Sequence, residues 1–146
     1  MQVKDLMTAN AEWVEADASL KTVATTLRDN GIGCLPVGEN DRLVGMITDR
    51  DIACRAVAGG LDPANTKARQ VMSKGIIYCY EDQSDADALE LMQSKQIHHL
   101  PVLSRQKRIV GMLSLSDFAL KSDSRFSDEV INLTSRDASR HAKLAH

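Results

Sequence analysis

The chain has 146 residues, 43% hydrophobic and 26% charged, with 3% aromatic and a formal net charge of −2. This is enough chain for a compact core, built from Leu, Val, Ile, Met and Ala, and the charge gives no general attraction to nucleic acid or acidic membranes. No apolar run spans a bilayer, and Met1-Gln2-Val3-Lys4-Asp5 does not read as a signal peptide. Cys34, Cys54 and Cys79 are odd in number and lack CxxC spacing, so they read as small buried hydrophobes in a reducing, cytoplasmic compartment rather than a disulfide or zinc framework.

In chain order, Trp13-Val14-Glu15 reads as a short strand. Asp17 or Ser19 can cap a helix over residues 20–30, with Val23, Ala24 and Leu27 on its inner face and Gly31 as a left-handed C-terminal cap. Residues 34–37 and 43–48 read as strands joined by the polar turn Gly38-Glu39-Asn40-Asp41-Arg42. A second helix follows over residues 49–58, stopped by Gly59-Gly60, and residues 61–67 form a connecting turn. Ile76-Ile77-Tyr78-Cys79 reads as a strand, and Ser84 with Asp87 resembles a capping box for a helix to about Lys95. Residues 100–103 and 108–114 read as paired strands, and Ser116 or Asp117 opens another helix. Beyond Asp123, Phe126, Val130, Ile131 and Leu133 can line one face of a short helix, docked on the body or on a partner. The polar stretch 135–146 is expected to fray.

The two halves are copies of one another. One interval separates Met7 from Met72, Asp17 from Asp82, Ser19 from Ser84, Ile32 from Ile97, and Leu35-Pro36-Val37 from Leu100-Pro101-Val102. After one inserted residue near Gln106, Val44-Gly45-Met46 corresponds to Val110-Gly111-Met112, Asp51 to Asp117 and Ala53 to Ala119. Each half reads β-α-β-β-α, over 1–60 and 68–123, with 124–146 as a C-terminal helix or tail.

The repeated stretch is Gly45-Met46-Ile47-Thr48-Asp49-Arg50-Asp51 and Gly111-Met112-Leu113-Ser114-Leu115-Ser116-Asp117. It places a hydroxyl at a strand-to-helix junction and a carboxylate about one helical turn later. Thr48 and Ser114 offer a hydroxyl and free backbone N–H groups where a helix dipole stabilises phosphate. Asp51 and Asp117 can accept both hydroxyls of a ribose, and Arg50 can add a charge-assisted bond to phosphate. A lone G-x-x-T-x-x-D is more often an ordinary N-cap; the duplication shifts the balance towards a nucleotide. Arg50 can instead pair with Asp49 or Asp41, Met7 and Met72 read as core, and His98-His99 alternates faces on a strand, so one ring at most enters a given cleft. Trp13 and Tyr78 occupy equivalent positions, where packing is expected ahead of base stacking.

With these motifs in this order, the chain resembles the CBS domain pair, or Bateman module, over residues 3–121. Its Thr48-Asp49-Arg50-Asp51-Ile52 junction followed by Ala58-Gly59-Gly60-Leu61-Asp62-Pro63 is also similar to small stand-alone bacterial members of the hypoxic response type. The resemblance implies an α/β (α+β) fold in which two tandem β-α-β-β-α repeats pack sheet to sheet with pseudo-twofold symmetry. It also implies two clefts for AMP, ADP, ATP, NAD or S-adenosylmethionine, none of them a required cofactor. One cleft would combine Ser114, Asp117, His98 and His99 with adenine resting on backbone at Gly33 and Cys34, near Trp13. The other would combine Thr48 and Asp51 with backbone around His98-His99 and with Ile77 or Tyr78. A regulatory sensor is implied, not an enzyme, working as a disc-like homodimer on an unidentified regulated protein, with no nucleic acid or membrane partner.

Two other functions compete: a ligand-free dimerisation or protein-interaction module, and a metal-binding or catalytic protein using His98, His99 and the cysteines. The second lacks HExxH, paired CxxC, Walker A and G-x-S-x-G signals. The charged Thr48-Asp49-Arg50-Asp51 against the neutral Ser114-Leu115-Ser116 predicts clefts of unequal affinity, the one with Ser114, His98 and His99 being tighter for anions.

Overall fold

A computed structural model of the protein describes residues 1–121 and Val130. The remaining tail positions named above, Phe126, Ile131 and Leu133, lie outside the described residues, while Val130 is helical and half-buried. The elements run α1 (Val3–Leu6), β1 (Thr8–Ala9), β2 (Val14–Glu15), α2 (Leu20–Asn30), β3 (Cys34–Glu39) and β4 (Arg42–Thr48). Next come α3 (Asp49–Asp51), which continues as a π-helical stretch (Ile52–Val57), then α4 (Ala68–Val71), β5 (Cys79–Tyr80) and α5 (Asp85–Lys95). β6 (His99–Leu103), β7 (Ile109–Ser114) and α6 (Leu115–Lys121) follow. The fold is mixed α and β, with a three-stranded sheet ordered β2-β3-β4 and a four-stranded sheet ordered β1-β7-β6-β5.

The first-repeat unit comprises residues 11–77 and 106–109. Ser19 caps α2 by accepting the Thr22 N–H at 3.2 Å, and Gly31 ends it in the left-handed conformation, φ 62°. Leu20, Val23 and Leu27 form the buried stripe; Ala24 is exposed, contrary to expectation, because it lies off the face those three define. β3 and β4 are longer than expected. Gly38, Glu39 and Arg42 belong to the strands, and the turn shrinks to Asn40 and Asp41, both at positive φ (54° and 63°), as a twisted two-residue hairpin requires. Val14, Leu20, Val23, Leu35, Val37 and Ile47 are joined in one core by Ala68, Val71 and Met72.

The second-repeat unit comprises residues 1–10, 78–105 and the described residues from Val110 on. Ser84 caps α5 by accepting the Asp87 N–H at 3.1 Å, and Gln96 takes the left-handed position that Gly31 holds in the first copy. The expected strand over Ile76-Ile77-Tyr78-Cys79 shifts to Cys79–Tyr80, because only these two residues pair, in parallel, with Val102 and Leu103 of β6. A strand needs a ladder partner, and apolar, β-branched composition does not provide one.

Each unit is completed by the segment that precedes the other repeat. Val3 and Lys4 donate backbone N–H groups to Gln83 O and Glu81 O at 2.8 and 2.9 Å; Ala68 and Arg69 do the same to Ala18 O and Ala16 O at 2.8 and 3.0 Å. β1 pairs antiparallel with β7, Ala9 opposite Gly111, while Ser73 and Met46 exchange backbone hydrogen bonds beside Gly45. The two glycines exist for this approach. A Cβ on Gly45 would sit 2.8 Å from Ser73 O and 2.6 Å from Met72 Sδ; one on Gly111 would sit 2.7 Å from Thr8 O and 2.8 Å from Met7 Sδ.

Candidate functional site

At the first junction, β4 runs out of the core at buried Ile47 and reaches half-buried Thr48 with extended backbone. Thr48 Oγ1 accepts the Asp51 N–H and Asp51 Oδ2 accepts the Thr48 N–H, both at 3.0 Å, a reciprocal capping box. The Asp49 N–H donates to Gly33 O at 3.0 Å and the Arg50 N–H to Asp49 Oδ1 at 2.7 Å. The N–H groups expected to be free for phosphate are therefore taken by acceptors within the junction itself. The second oxygen of Asp51 faces Arg55 at 3.8 Å on a side chain only 14% exposed, while the Arg50 side chain is exposed. Arg50 makes no ion pair among the described residues; Asp41, one of its expected partners, pairs with Arg108 at 2.9 Å. Cys34 faces Thr48 across the hairpin, and Asp49 Oδ2 lies 3.3 Å from where a Gly33 Cβ would be. Burial, with Asp49 adding to it, pushes the Cys34 thiol up to about 11, and burial pushes Cys79 up to about 12, so neither serves as a ready thiolate.

The second junction repeats the plan with different chemistry. Asp117 Oδ2 accepts the Ser114 N–H at 2.8 Å and the Ser114 hydroxyl at 3.2 Å, while Ser114 Oγ and Ser116 Oγ lie 2.7 Å apart. The Leu115 N–H donates to His98 O at 3.0 Å, matching the Asp49–Gly33 bond of the first copy. The helix thus opens at Leu115, directly after Ser114 ends the strand, not at Ser116 or Asp117 as expected, because the Asp117 carboxylate reaches back to the Ser114 N–H and closes the first turn there. His98 is half-buried. His99 keeps an exposed edge, yet desolvation, reinforced by the neighbouring His98 and opposed by Asp117, holds its pKa below the ordinary 6.5. At neutral pH it offers hydrogen bonds rather than a positive charge.

The structure thus gathers Gly33, Cys34, Thr48, Arg50 and Asp51 at one junction, and His98, His99, Ser114 and Asp117 at the other. Trp13 is elsewhere. Its ring lies over Gly38, at the opposite end of β3 from Cys34, about 13 Å along the strand. Ile77 is half-buried outside any strand. Tyr78 packs edge-on against Tyr80, ring centroids 5.6 Å apart, and Tyr80 in turn carries the Arg105 guanidinium 4.2 Å from its centroid. Arg55 and Lys121, unremarked in the sequence, lie beside the outer oxygens of Asp51 and Asp117. Their four-residue spacing from an aspartate on a helix was the available signal. Among the described residues no three His, Cys, Asp or Glu side chains converge to hold a metal ion, and no helix is long and apolar enough to cross a membrane.

The CBS domain profile matches the chain twice, over residues 3–56 and 68–122. The chain belongs to the CBS domain family. This CBS protein is 36% identical over 117 residues to hypoxic response protein 1 of Mycobacterium tuberculosis, covering 80% of the chain and 81% of that relative. Among solved structures, Hypoxic Response Protein I, with two coordinated zinc ions, superposes with a TM-score of 0.76 at 34% identity, over 83% of this chain and 98% of that one. The CBS domain pair of protein MJ0100, in complex with 5′-methylthioadenosine and S-adenosyl-L-methionine, gives a TM-score of 0.69 at 26% identity, over 82% and 93% of the two chains. The protein is a CBS-pair regulatory module and not an enzyme.

Proposed function

We propose that the protein binds adenosine-containing ligands at its two strand-to-helix junctions and, as a cytoplasmic homodimer, passes their presence to a regulated partner protein. The observation that carries this reading is the duplicated hydroxyl–carboxylate clamp. In each copy one carboxylate oxygen is fixed by backbone while the other faces a cation, Arg55 at 3.8 Å or Lys121 at 3.5 Å, and would accept ribose hydroxyls from there. The adenosine compounds held by the MJ0100 pair support it. Thr48 and Ser114 would add hydroxyl contacts, and Arg50 a charge for phosphate. His98 and His99 would add hydrogen bonds, and backbone at Gly33 and Cys34 would pack against adenine. Ile77 and Tyr78 would serve as surrounding walls, while Trp13, over Gly38, lies too far along β3 to touch a ligand at Cys34.

Calorimetry and thermal unfolding with AMP, ADP, ATP, NAD, 5′-methylthioadenosine and S-adenosylmethionine test the proposal. Ligand at about 100 times its Kd is expected to raise Tm by about 5 °C or more, with unequal affinities at the two junctions and weaker binding in Asp117→Asn. Absence of both binding heat and a thermal shift with every one of these compounds would refute it. One observation favours the ligand-free interaction module instead: the first junction satisfies its own N–H groups without help. That reading expects Asp51→Ala and Asp117→Ala to leave dimerisation and partner binding unchanged.

A further inference from the structure

A four-residue helix has little stability of its own, and its last carbonyls find no partner within it. α1 and α4 are two such helices, each ending in a buried apolar residue, Leu6 and Val71. Both terminal carbonyls are reached by a cation from the helix that follows a junction. Lys121 Nζ donates to Leu6 O at 2.9 Å; Arg55 Nη1 donates to Val71 O at 3.1 Å and more weakly to Met72 O at 3.4 Å. These are the same cations that stand 3.5 Å from Asp117 Oδ1 and 3.8 Å from Asp51 Oδ1. The carboxylates are 10% and 14% exposed and their cations 44% and 54%, so each attraction is screened in part by solvent. The equivalent positions hold different residues, lysine and arginine, yet both make the same link from junction carboxylate to helix end. Recurrence in both repeats sets this link apart from an incidental surface pair.

We propose that Arg55 and Lys121 are positioning residues that couple each junction carboxylate to the docking of a traded segment. The cation is shared, so fixing the carboxylate fixes the helix end, and the coupling is reciprocal. A ligand held by Asp117 would tighten α1 on its unit through Lys121, and one held by Asp51 would tighten α4 through Arg55. This response rests on the adenosine reading above; the link itself is measurable without ligand.

The test follows amide exchange by NMR at Lys4 and Met7, whose N–H groups donate to Glu81 O and Val3 O. Wild type, Asp117→Asn, Lys121→Met and the double variant are compared. Each single change is expected to speed exchange in α1 about two- to fivefold, as loss of a C-terminal cation does. The double variant should exchange no faster than either, and Lys121→Arg should restore protection. An unchanged α1 in Asp117→Asn, or effects that multiply in the double variant, would reduce Lys121 to a simple helix cap and overturn the coupling. Asp51→Asn and Arg55→Met, read at Arg69 and Met72, give an independent cycle should one variant fail to fold. In wild type, 5′-methylthioadenosine should slow exchange in α1, and in Lys121→Met it should not; equal slowing in both overturns the ligand response. Absence of any binding removes the adenosine reading, while the ligand-free cycles still decide the coupling.

Discussion

At the scale of single residues, the glycine of the repeated stretch shows how far sequence reasoning reaches. Its position before a hydroxyl and an aspartate was legible. The backbone that presses on it was not, because Ser73 and Thr8 lie far from Gly45 and Gly111 in sequence and no local pattern names them. A flexible methionine sulfur can move away from an added methyl group, but a backbone carbonyl engaged in pairing cannot. Gly45→Ala and Gly111→Ala are each expected to lower the unfolding free energy in urea by about 1–3 kcal/mol, the usual cost of overpacking. Gly75→Ala, with nothing within 4 Å of the added carbon, should change it by less than about 0.5 kcal/mol. Equal, small effects at all three would show that the traded segments give way. The aspartates divide similarly. Their place after a hydroxyl marked them as clamps or ligand contacts, whereas their cation partners emerged only when helices brought Arg55 and Lys121 back over them.

At the scale of elements, the bounds and caps of α2 were readable because their signals are local: an apolar stripe, a capping serine and a terminal glycine. Ser19→Ala removes the acceptor of the Thr22 N–H and is expected to cost about 1 kcal/mol in chemical denaturation; no loss would mean that water satisfies the N–H as well. The elements that departed from expectation depend on pairing or on hydrogen-bond choice. Ile76 and Ile77 have strand composition but no strand beside them, so the ladder starts at Cys79. The stretch after Asp51 forms i+5 bonds, Ala58 N–H to Ala53 O and Leu61 N–H to Ala56 O, and nothing in its composition distinguishes that winding from an α-helix. Ala24 has the right polarity for the core but lies off the face set by Leu20, Val23 and Leu27.

For the whole molecule, acid should act in two stages. Desolvation holds His99 below 6.5 in the folded state, so the unfolded chain takes up that proton first and stability declines as pH falls below about 6.5. A hydrogen bond from Arg69 holds the Asp17 carboxyl below 3.8, and Arg105 does the same for Asp82. Their contribution is intact above that value and lost as pH drops beneath it, modestly, since both pairs are exposed. Urea midpoints measured from pH 7 to 3 should fall in both ranges, and His99→Gln should abolish the first decline alone; an unaltered profile in that variant would assign it to another group. The duplication behind all this was plain in the sequence, but the trading of segments was not, because copies can sit side by side without lending parts. A chain of one repeat with its own leading segment would use that segment on another copy's glycine-bearing strand, so two such chains are expected to complete each other by exchange, as domain-swapped dimers do.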